Sequence, residues 1–352
     1  MQSPARGAED GSRLQLHTLA QQDARAGFAA DVARGLQLNP KRLSPKYFYD
    51  ELGSELFDAI CLLPEYYLTR AEDEILTRHA DEIVAAARGD DVEEPLSLLE
   101  FGSGSAVKTR QLIEALLRRQ SKLLYLPIDI SASALETSAR VLLQTYPALR
   151  IEAYAGDYDT ALAYLRQRGE GTNHWHEGRT LALFLGSNIG NFTPPEAARF
   201  LRALRDCLDE GDALLLGADL KKAPAALEAA YDDALGVTAA FNLNLLARIN
   251  RELAADFNPR RFRHVARYNE PAGRVEIHLE SLCAQVVHLA KPDLTVRFDA
   301  GEMIHTENSH KYALSELNEL AARTGYDCVR TWLDEAGQFS SNLFCAVAGT
   351  ER

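Results

Sequence analysis

An alternation along the middle of the chain constrains its fold more than any other feature. Five apolar runs stand at 96–101 (LSLLEF), 123–130 (LLYLPIDI), 150–157 (RIEAYAGD), 180–186 (TLALFLG) and 213–219 (ALLLGAD). Between them lie stretches with helical spacing, such as KTRQLIEALLRR and PEAARFLRALRDCL. Strand-length runs alternating with amphipathic helices predict βαβ units and a parallel sheet. The runs are apolar at nearly every position, as strands covered on both faces are.

The alternation stops after residue 221. Two helices are expected within 223–257, and strands with alternating faces within RVEIHLESLCAQVVHL and LTVRFDAGEMIHTE. A polar run, TENSHKY (306–312), follows, then a helix (LSELNELAARTGY) and a closing hairpin (CVRTWLDEAGQFSSNLFCAV). Upstream, 44–70 carries a short helix stopped by Pro64, with Tyr49, Tyr66 and Tyr67 around it. With 352 residues the chain is long enough for a core with an insertion. The expected plan is α/β: residues 71–221 and 312–352 form a nucleotide-binding core. Residues 31–70 and 222–311 form an α+β substrate-binding domain.

Several classes are disfavoured. A net charge of −13 has the wrong sign for a nucleic-acid binder. No apolar run approaches the roughly 20 residues of a membrane helix. The opening MQSPARGAEDGSRL lacks a signal-peptide core, so residues 1–30 are expected to be a disordered lead-in. The five cysteines include no CxxC pair or zinc spacing and read as reduced thiols of a cytoplasmic protein. His278, His305 and His310 lack the HxH or HxxxH spacing and carboxylates of a metal site, so no metal is expected.

Polar groups recur where the apolar runs end. The first run leads into EFGSGSAVKT, where Gly102 and Gly104, with Ser103 between them, allow a tight turn at a helix mouth. Such a GxG serves NAD, FAD, S-adenosylmethionine or nothing, and neither GxGxxG nor a Walker A loop is present. Asp129 ends the second run, where an acid accepts hydrogen bonds from ribose hydroxyls. Asp157, followed by Tyr158, ends the third, in reach of an adenine amino group; either acid alone reads equally as a helix cap. GSNIGN, with Asn191, follows the fourth. Such groups at successive strand ends converge on one crevice. S-adenosylmethionine is favoured over NAD, because the closing hairpin falls where a methyltransferase sheet inserts its antiparallel seventh strand. Lys108 is placed to meet the methionine carboxylate.

At this point the chain resembles a family. YFYDELGSELFDAICLLPEYYLTR, EFGSGSAVKT, YLPIDIS, LFLGSNIGNF, LLLGADLKK, AYDDALGVTAAFNLNLLARINRELAADF and HTENSHKY resemble, in order over residues 45–348, the histidine Nα-methyltransferases of ergothioneine biosynthesis. The resemblance implies a Rossmann-like class I methyltransferase core with a mostly parallel seven-stranded sheet. It implies S-adenosylmethionine at Gly102, Ser103, Gly104, Lys108, Asp129, Asp157 and Tyr158. Tyr66 and Asn191 match residues near the substrate amine and carboxylate, Gly186 a backbone position facing the amine, and Tyr231 a carboxylate contact. Glu307 and Ser309 match the pair that grips the imidazole. Tyr49 matches a tyrosine beside the methyl-transfer locus and with Tyr66 forms the implied catalytic pair. Ile277 stands where the histidine enzymes carry a methionine, a change conservative in size.

The implied reaction converts L-histidine to Nα,Nα,Nα-trimethylhistidine (hercynine), the first step of ergothioneine biosynthesis, in a monomer whose only partner is its substrate. Period-two spacing puts Glu307 and Ser309 on one face of an extended segment, where an imidazole's two nitrogens each find a partner. An indole would leave one of that pair unmatched. Two other readings are open: an N-methyltransferase of a tryptophan derivative, which fungal relatives of this family exemplify, and a non-catalytic S-adenosylmethionine or amino-acid sensor.

Overall fold

The computed structural model describes residues 13–19, 24–89, 94–169 and 178–348. The five apolar runs are β3 (Leu96–Phe101), β4 (Leu123–Asp129), β5 (Leu149–Ala155), β6 (Arg179–Phe184) and β7 (Ala213–Asp219), once β1 (Leu14–Thr18) and β2 (Lys41–Arg42) have been counted upstream. Intervening helices are α4 (Thr109–Leu117), α5 (Ala132–Thr145), α6 (Tyr158–Gly169) and α7 (Pro194–Arg205). Ahead of them lie α1 (Ala24–Gln37), α2 (Glu51–Cys61) and α3 (Leu68–Arg88). β3 shows why the runs are continuously apolar: Leu98 packs into one hydrophobic cluster and Leu99 into another, on opposite faces of the sheet. In β6, Leu181 and Leu183 face the first cluster, and Ala182 and Phe184 the second.

The insertion comprises α8 (Pro224–Tyr231), α9 (Val237–Leu253), β8 (Phe262–Asn269), β9 (Arg274–Ser281), β10 (Gln285–Ala290), β11 (Asp293–Phe298) and β12 (Met303–His310). β8, β9, β12 and β2 form a four-stranded sheet, and β10 and β11 a separate ribbon. β9 is buried at every second residue, from Val275 through Ile277 and Leu279 to Ser281, as a sheet covered on one side requires. Those apolar residues join the same cluster as Leu98 and Leu181, so the insertion shares a core with one face of the large sheet. β2 pairs parallel with β12, and α2 packs on α9. The segment before residue 70 therefore docks on the insertion.

The chain returns through α10 (Leu314–Arg323) to β13 (Tyr326–Leu333) and β14 (Phe339–Ala346), and β14 runs antiparallel to β7. The large sheet has eight strands in the order β1-β5-β4-β3-β6-β7-β14-β13. The expected seven are present, and β1 adds a further strand, parallel to β5, at the edge. This corrects the expectation of a disordered lead-in through residue 30: Leu14–Thr18 is a strand and helix α1 starts at Ala24. The rest of that expectation, residues 1–12 and 20–23, lies outside the described residues. The edge of β5 offers unpaired backbone groups, and β1 satisfies them.

Candidate active site

The site is organised by the turn that ends β6. Gly186 and Ser187 both take left-handed backbone angles, φ 72° and 58°. Glycine does so freely, whereas for serine such a conformation costs about 1–2 kcal/mol. Two contacts hold the turn. Ser187 Oγ accepts from the Asp219 amide at 3.0 Å, and the Gly186 amide donates to both oxygens of Glu72 at 2.8 and 2.9 Å. Glu72, from α3, is fully buried and also pairs with the Lys108 ammonium. Burial pulls the Lys108 pKa down, but Glu72 more than compensates and holds it above the ordinary value. The expected carboxylate-binding lysine is thus anchored by a carboxylate of the protein, and its ammonium stands 3.8 Å from where a Cβ on Gly186 would lie. Three donors on one ammonium leave capacity for a second anion.

The Gly-rich turn lies beside it. Gly102, at φ 73°, donates its amide to Ile128 O at 2.8 Å. A Cβ there would stand 2.6 Å from Tyr158 Oη and 3.0 Å from Asn188 Nδ2. The absence of a side chain is what leaves this cradle open. Asp129 accepts the Gly104 amide at 2.9 Å and the Ser131 amide at 2.9 Å, one on each oxygen. Each oxygen keeps a lone pair for a ribose hydroxyl. Burial raises the Asp129 pKa, and these amides act against it. Asp157 accepts from the Thr160 amide at 2.9 Å, so it caps α6 in addition to facing the strand-end crevice. An open cleft floored by Ile130 and Gly156, the neighbours of those two acids, is walled by Tyr47, Tyr49, Phe28 and Arg248. Gly102, Ser103, Gly104, Lys108, Asp129, Asp157 and Tyr158 thus gather around the ends of β3, β4 and β5, and their donor set fits an adenosyl group with a charged amino-acid tail.

A second cavity adjoins this cleft. It is lined by Tyr49, Tyr66, Gly186, Asn191, Tyr231, Ile277, Glu307 and Ser309, the whole of the expected substrate set, although these residues span positions 49 to 309. Asp50 caps α2 by accepting from Gly53 N at 2.8 Å, which fixes Tyr49 at the helix mouth. One wall is aromatic. Tyr49 meets Phe57 at 5.7 Å and Phe241 at 5.8 Å between ring centroids, and Phe57 meets Tyr66 at 6.3 Å. Tyr66 meets Tyr231 at 6.0 Å, nearly edge to face. Burial, with Glu307 nearby, pushes the Tyr49 phenol well above its usual pKa. Burial, with Tyr231 nearby, does the same to Tyr66. Both are neutral phenols at physiological pH, not phenolate bases.

The opposite wall is polar and is carried by β12. Glu307, Ser309 and Lys311 alternate along the strand and its exit. Burial lifts the Glu307 carboxyl to about 7, against the pull of Lys311. Ser309 Oγ lies 2.7 Å from Tyr231 Oη, and Lys311 Nζ donates to both. His264 donates through Nε2 to Tyr231 O at 2.7 Å and accepts from Asn242 at 2.9 Å, while burial holds its pKa down, so it is a neutral positioning group. Sequence reasoning missed Glu72, Phe57, Phe241, His264 and Lys311. Phe57 and Phe241 lie in helices, where a large apolar residue is an ordinary core occupant, and Lys311 sits in the polar run TENSHKY, where composition alone does not separate a buried lysine from a solvated one. Among the described residues no cluster of His, Cys, Asp or Glu is placed to hold a metal ion.

Residues 28–346 match the family model described as histidine-specific methyltransferase, SAM-dependent. The chain is 47% identical over 313 residues to a histidine N-alpha-methyltransferase of Mycobacterium tuberculosis, covering 89% of this chain and 93% of that protein. It is 44% identical over 327 residues to the enzyme of the same name from Mycolicibacterium smegmatis, covering 92% and 97%. It is also 31% identical over 301 residues to ergothioneine biosynthesis protein 1 of Neurospora crassa, covering 83% of this chain and 32% of that longer protein.

Proposed function

Because the chain belongs to the histidine-specific, S-adenosylmethionine-dependent methyltransferase family, we infer that it methylates the α-amine of L-histidine. We further propose that it carries the amine to the trimethyl state, forming hercynine as the opening step of ergothioneine biosynthesis. Residues 31–70 and 222–311 would act as the substrate-binding unit. The observation that carries the reading is that Tyr49 borders both the strand-end cleft and the substrate cavity, so donor and acceptor meet at its ring.

When bound, the cofactor supplies an electrophilic sulfonium methyl group. Gly102 and Gly104 would open the backbone to it, Asp129 would take ribose hydroxyls, Asp157 and Tyr158 would border the adenine, and Lys108 would face the amino-acid carboxylate. The protein's own work is positioning, which supplies about 7–11 kcal/mol in favourable cases. Glu307 accepts one ring N–H of histidine, and Ser309 meets the other ring nitrogen. Asn191 donates to the carboxylate end, the Tyr231 ring borders it, and Gly186 faces the amine. The aromatic wall strips water from an ammonium, which lowers the amine's pKa and favours the nucleophilic form. A trimethylated amine has no N–H to desolvate, and each ring face attracts it by about 0.5–2 kcal/mol. One wall therefore favours a neutral amine before transfer and tolerates the cation afterwards. Neutral phenols at Tyr49 and Tyr66 can accept a hydrogen bond from the amine and pass their own proton to a solvent water in one concerted step, each regaining the proton it gives.

No described helix is long and apolar enough to cross a membrane, and all five cysteines are free thiols. We take the enzyme to be a cytoplasmic monomer. Mass spectrometry of the product from histidine and S-adenosylmethionine tests the activity. A gain of three methyl groups is expected; absence of any transfer to histidine would overturn the reading, and accumulation of the monomethyl product would overturn trimethylation.

A further inference from the structure

Lys311 is among the most completely buried charged groups of the protein: its side chain and that of its partner Asp219 are both fully shielded. Neither has a part in the reaction as derived so far. Lys311 Nζ donates to Asp219 Oδ2 at 2.6 Å, to Tyr231 Oη at 2.9 Å and to Ser309 Oγ at 2.8 Å. An ammonium has three protons and no acceptor, so these contacts use all of them. Burial disfavours the charged form, yet Asp219 and Tyr231 hold the Lys311 pKa above its ordinary value, so it is charged.

The remaining protons can be counted. Tyr231 and Ser309 each have one hydroxyl proton, and their oxygens lie 2.7 Å apart. One proton lies in that contact. The other cannot point at Lys311, which has nothing to accept it, and is left for the cavity that both residues line. Asp219 carries Lys311 and Lys222, and accepts from Tyr67 Oη at 2.8 and 2.9 Å. With ionised Glu307 as an acceptor on one side and a hydroxyl donor on the other, a ring with one N–H and one bare nitrogen matches both walls, and a ring with two N–H groups does not.

We propose that Lys311 is a positioning residue that fixes the Tyr231–Ser309 pair as a donor of one proton. It thereby makes the site select neutral histidine in one tautomer, with N–H toward Glu307 and the bare nitrogen toward Ser309. The inference rests on histidine being the substrate. It explains why a lysine with no direct place at the substrate is buried behind two hydroxyls. Without it, the two hydroxyls would be free to present either an acceptor or a donor, and the ring's orientation would lose its anchor.

The first measurement needs no variant. Nitrogen-15 NMR of ring-labelled histidine bound to the wild-type enzyme at pH 8 should show one protonated and one bare ring nitrogen, in slow exchange with the free ligand pattern. Two protonated nitrogens, or an averaged tautomer signal like that of free histidine, would overturn the proposal. Lys311→Met should raise histidine KM at least about tenfold, with kcat changed less than about threefold and S-adenosylmethionine affinity kept, since Asp219 retains Lys222 and Tyr67. In a Ser309→Ala background the same substitution should change KM less than about threefold, because its route of action is gone. Lys222→Met, which removes the other ammonium on Asp219 without touching Tyr231 or Ser309, should leave the nitrogen pattern intact. Equal effects of Lys311→Met in both backgrounds would assign it a structural role only. Failure of the wild type to methylate histidine would instead remove the functional reading beneath the proposal.

Discussion

The cofactor cleft and the substrate cavity share Tyr49 but are assembled by different means. In the cleft, the organising groups lie within a few residues of a strand end, and much of the work is done by backbone: a glycine at φ 73°, amides on Asp129, a cap at Asp157. In the cavity, side chains arrive from the mouth of α2, from α8, and from β9 and β12 of the inserted sheet. The difference teaches where specificity resides. On the proposed assignment, cleft residues answer to a ligand shared by many reactions, whereas cavity residues choose the amine. Substitutions in the cleft should therefore weaken turnover of every substrate alike, and substitutions in the cavity should alter the ranking among substrates.

The largest effect is expected at Gly102. Alanine there would force a Cβ to 2.6 Å from Tyr158 Oη in a backbone region that L-residues avoid. Gly102→Ala should weaken S-adenosylmethionine binding by about 100-fold, equivalent to about 2.7 kcal/mol, measured by calorimetry, while relative rates among amine substrates stay constant. Unchanged cofactor affinity would show that the cradle is not where the cofactor lies.

Glu307 tests the other half. Replacing it by glutamine keeps shape but removes a charged acceptor, and hydrogen bonds to charged groups are worth about 1.5–3 kcal/mol. kcat/KM for histidine should fall about 10–100-fold with little change in cofactor affinity. In the wild type, histidine affinity should rise as pH climbs through about 7, where the carboxyl ionises. In Glu307→Gln the rise should shrink to the part set by the free histidine imidazole, whose pKa is about 6.5; a pH-independent wild type would break the assignment.

The same substitution should stabilise the free protein. Glu307 holds its proton up to about 7 when folded, against an ordinary value of 4.5. Between those values the folded state binds more protons than the unfolded one, so stability declines as pH rises. Glu100, buried against Tyr125 and Thr109 and also raised to about 7, contributes in the same direction. Glu307→Gln should therefore be more stable than wild type by up to about 3 kcal/mol at pH 8 and equal to it near pH 4, read by denaturant unfolding. Equal stability at both pH values would mean that the carboxylate is not strained by burial.

The two regions also differ in how far they could be read in advance. Strands β3 to β7 stood out because burial on both faces removes polar residues from a short run, a local signal. Gly102, Asp129 and Asp157 were visible for the same reason, since each lies at the end of such a run or directly after it. Substrate residues carried no such mark, and the resemblance of whole motifs brought them forward. Glu72 is one acid among three in AEDEIL, and its importance exists only once Gly186 and Lys108 are brought against it. Lys311 sits in a run whose polarity reads as solvent exposure, yet that polarity is consumed internally. β1 escaped because LQLHT is short and half exposed, and its meaning depends on an unpaired edge more than 130 residues away in sequence.

The smallest effect is expected at Ile277, where the resemblance implies a methionine in the histidine enzymes. Ile277 is 3% exposed, lines the cavity, and faces Glu307 across the β9–β12 pair. Its carbonyl accepts from Thr306 Oγ1 at 3.1 Å, so its backbone is held independently of its side chain. Methionine is similar in volume and more flexible, and such swaps usually cost less than about 1.5 kcal/mol. Neither side chain donates a hydrogen bond, so neither can replace what Glu307 and Ser309 offer a ring nitrogen. Ile277→Met should change histidine kcat/KM less than about threefold, in either direction, and should not create activity on tryptophan. A new preference for an indole would move the specificity determinant from the polar strand β12 to the apolar strand β9, and the division between the two walls of the cavity would have to be redrawn.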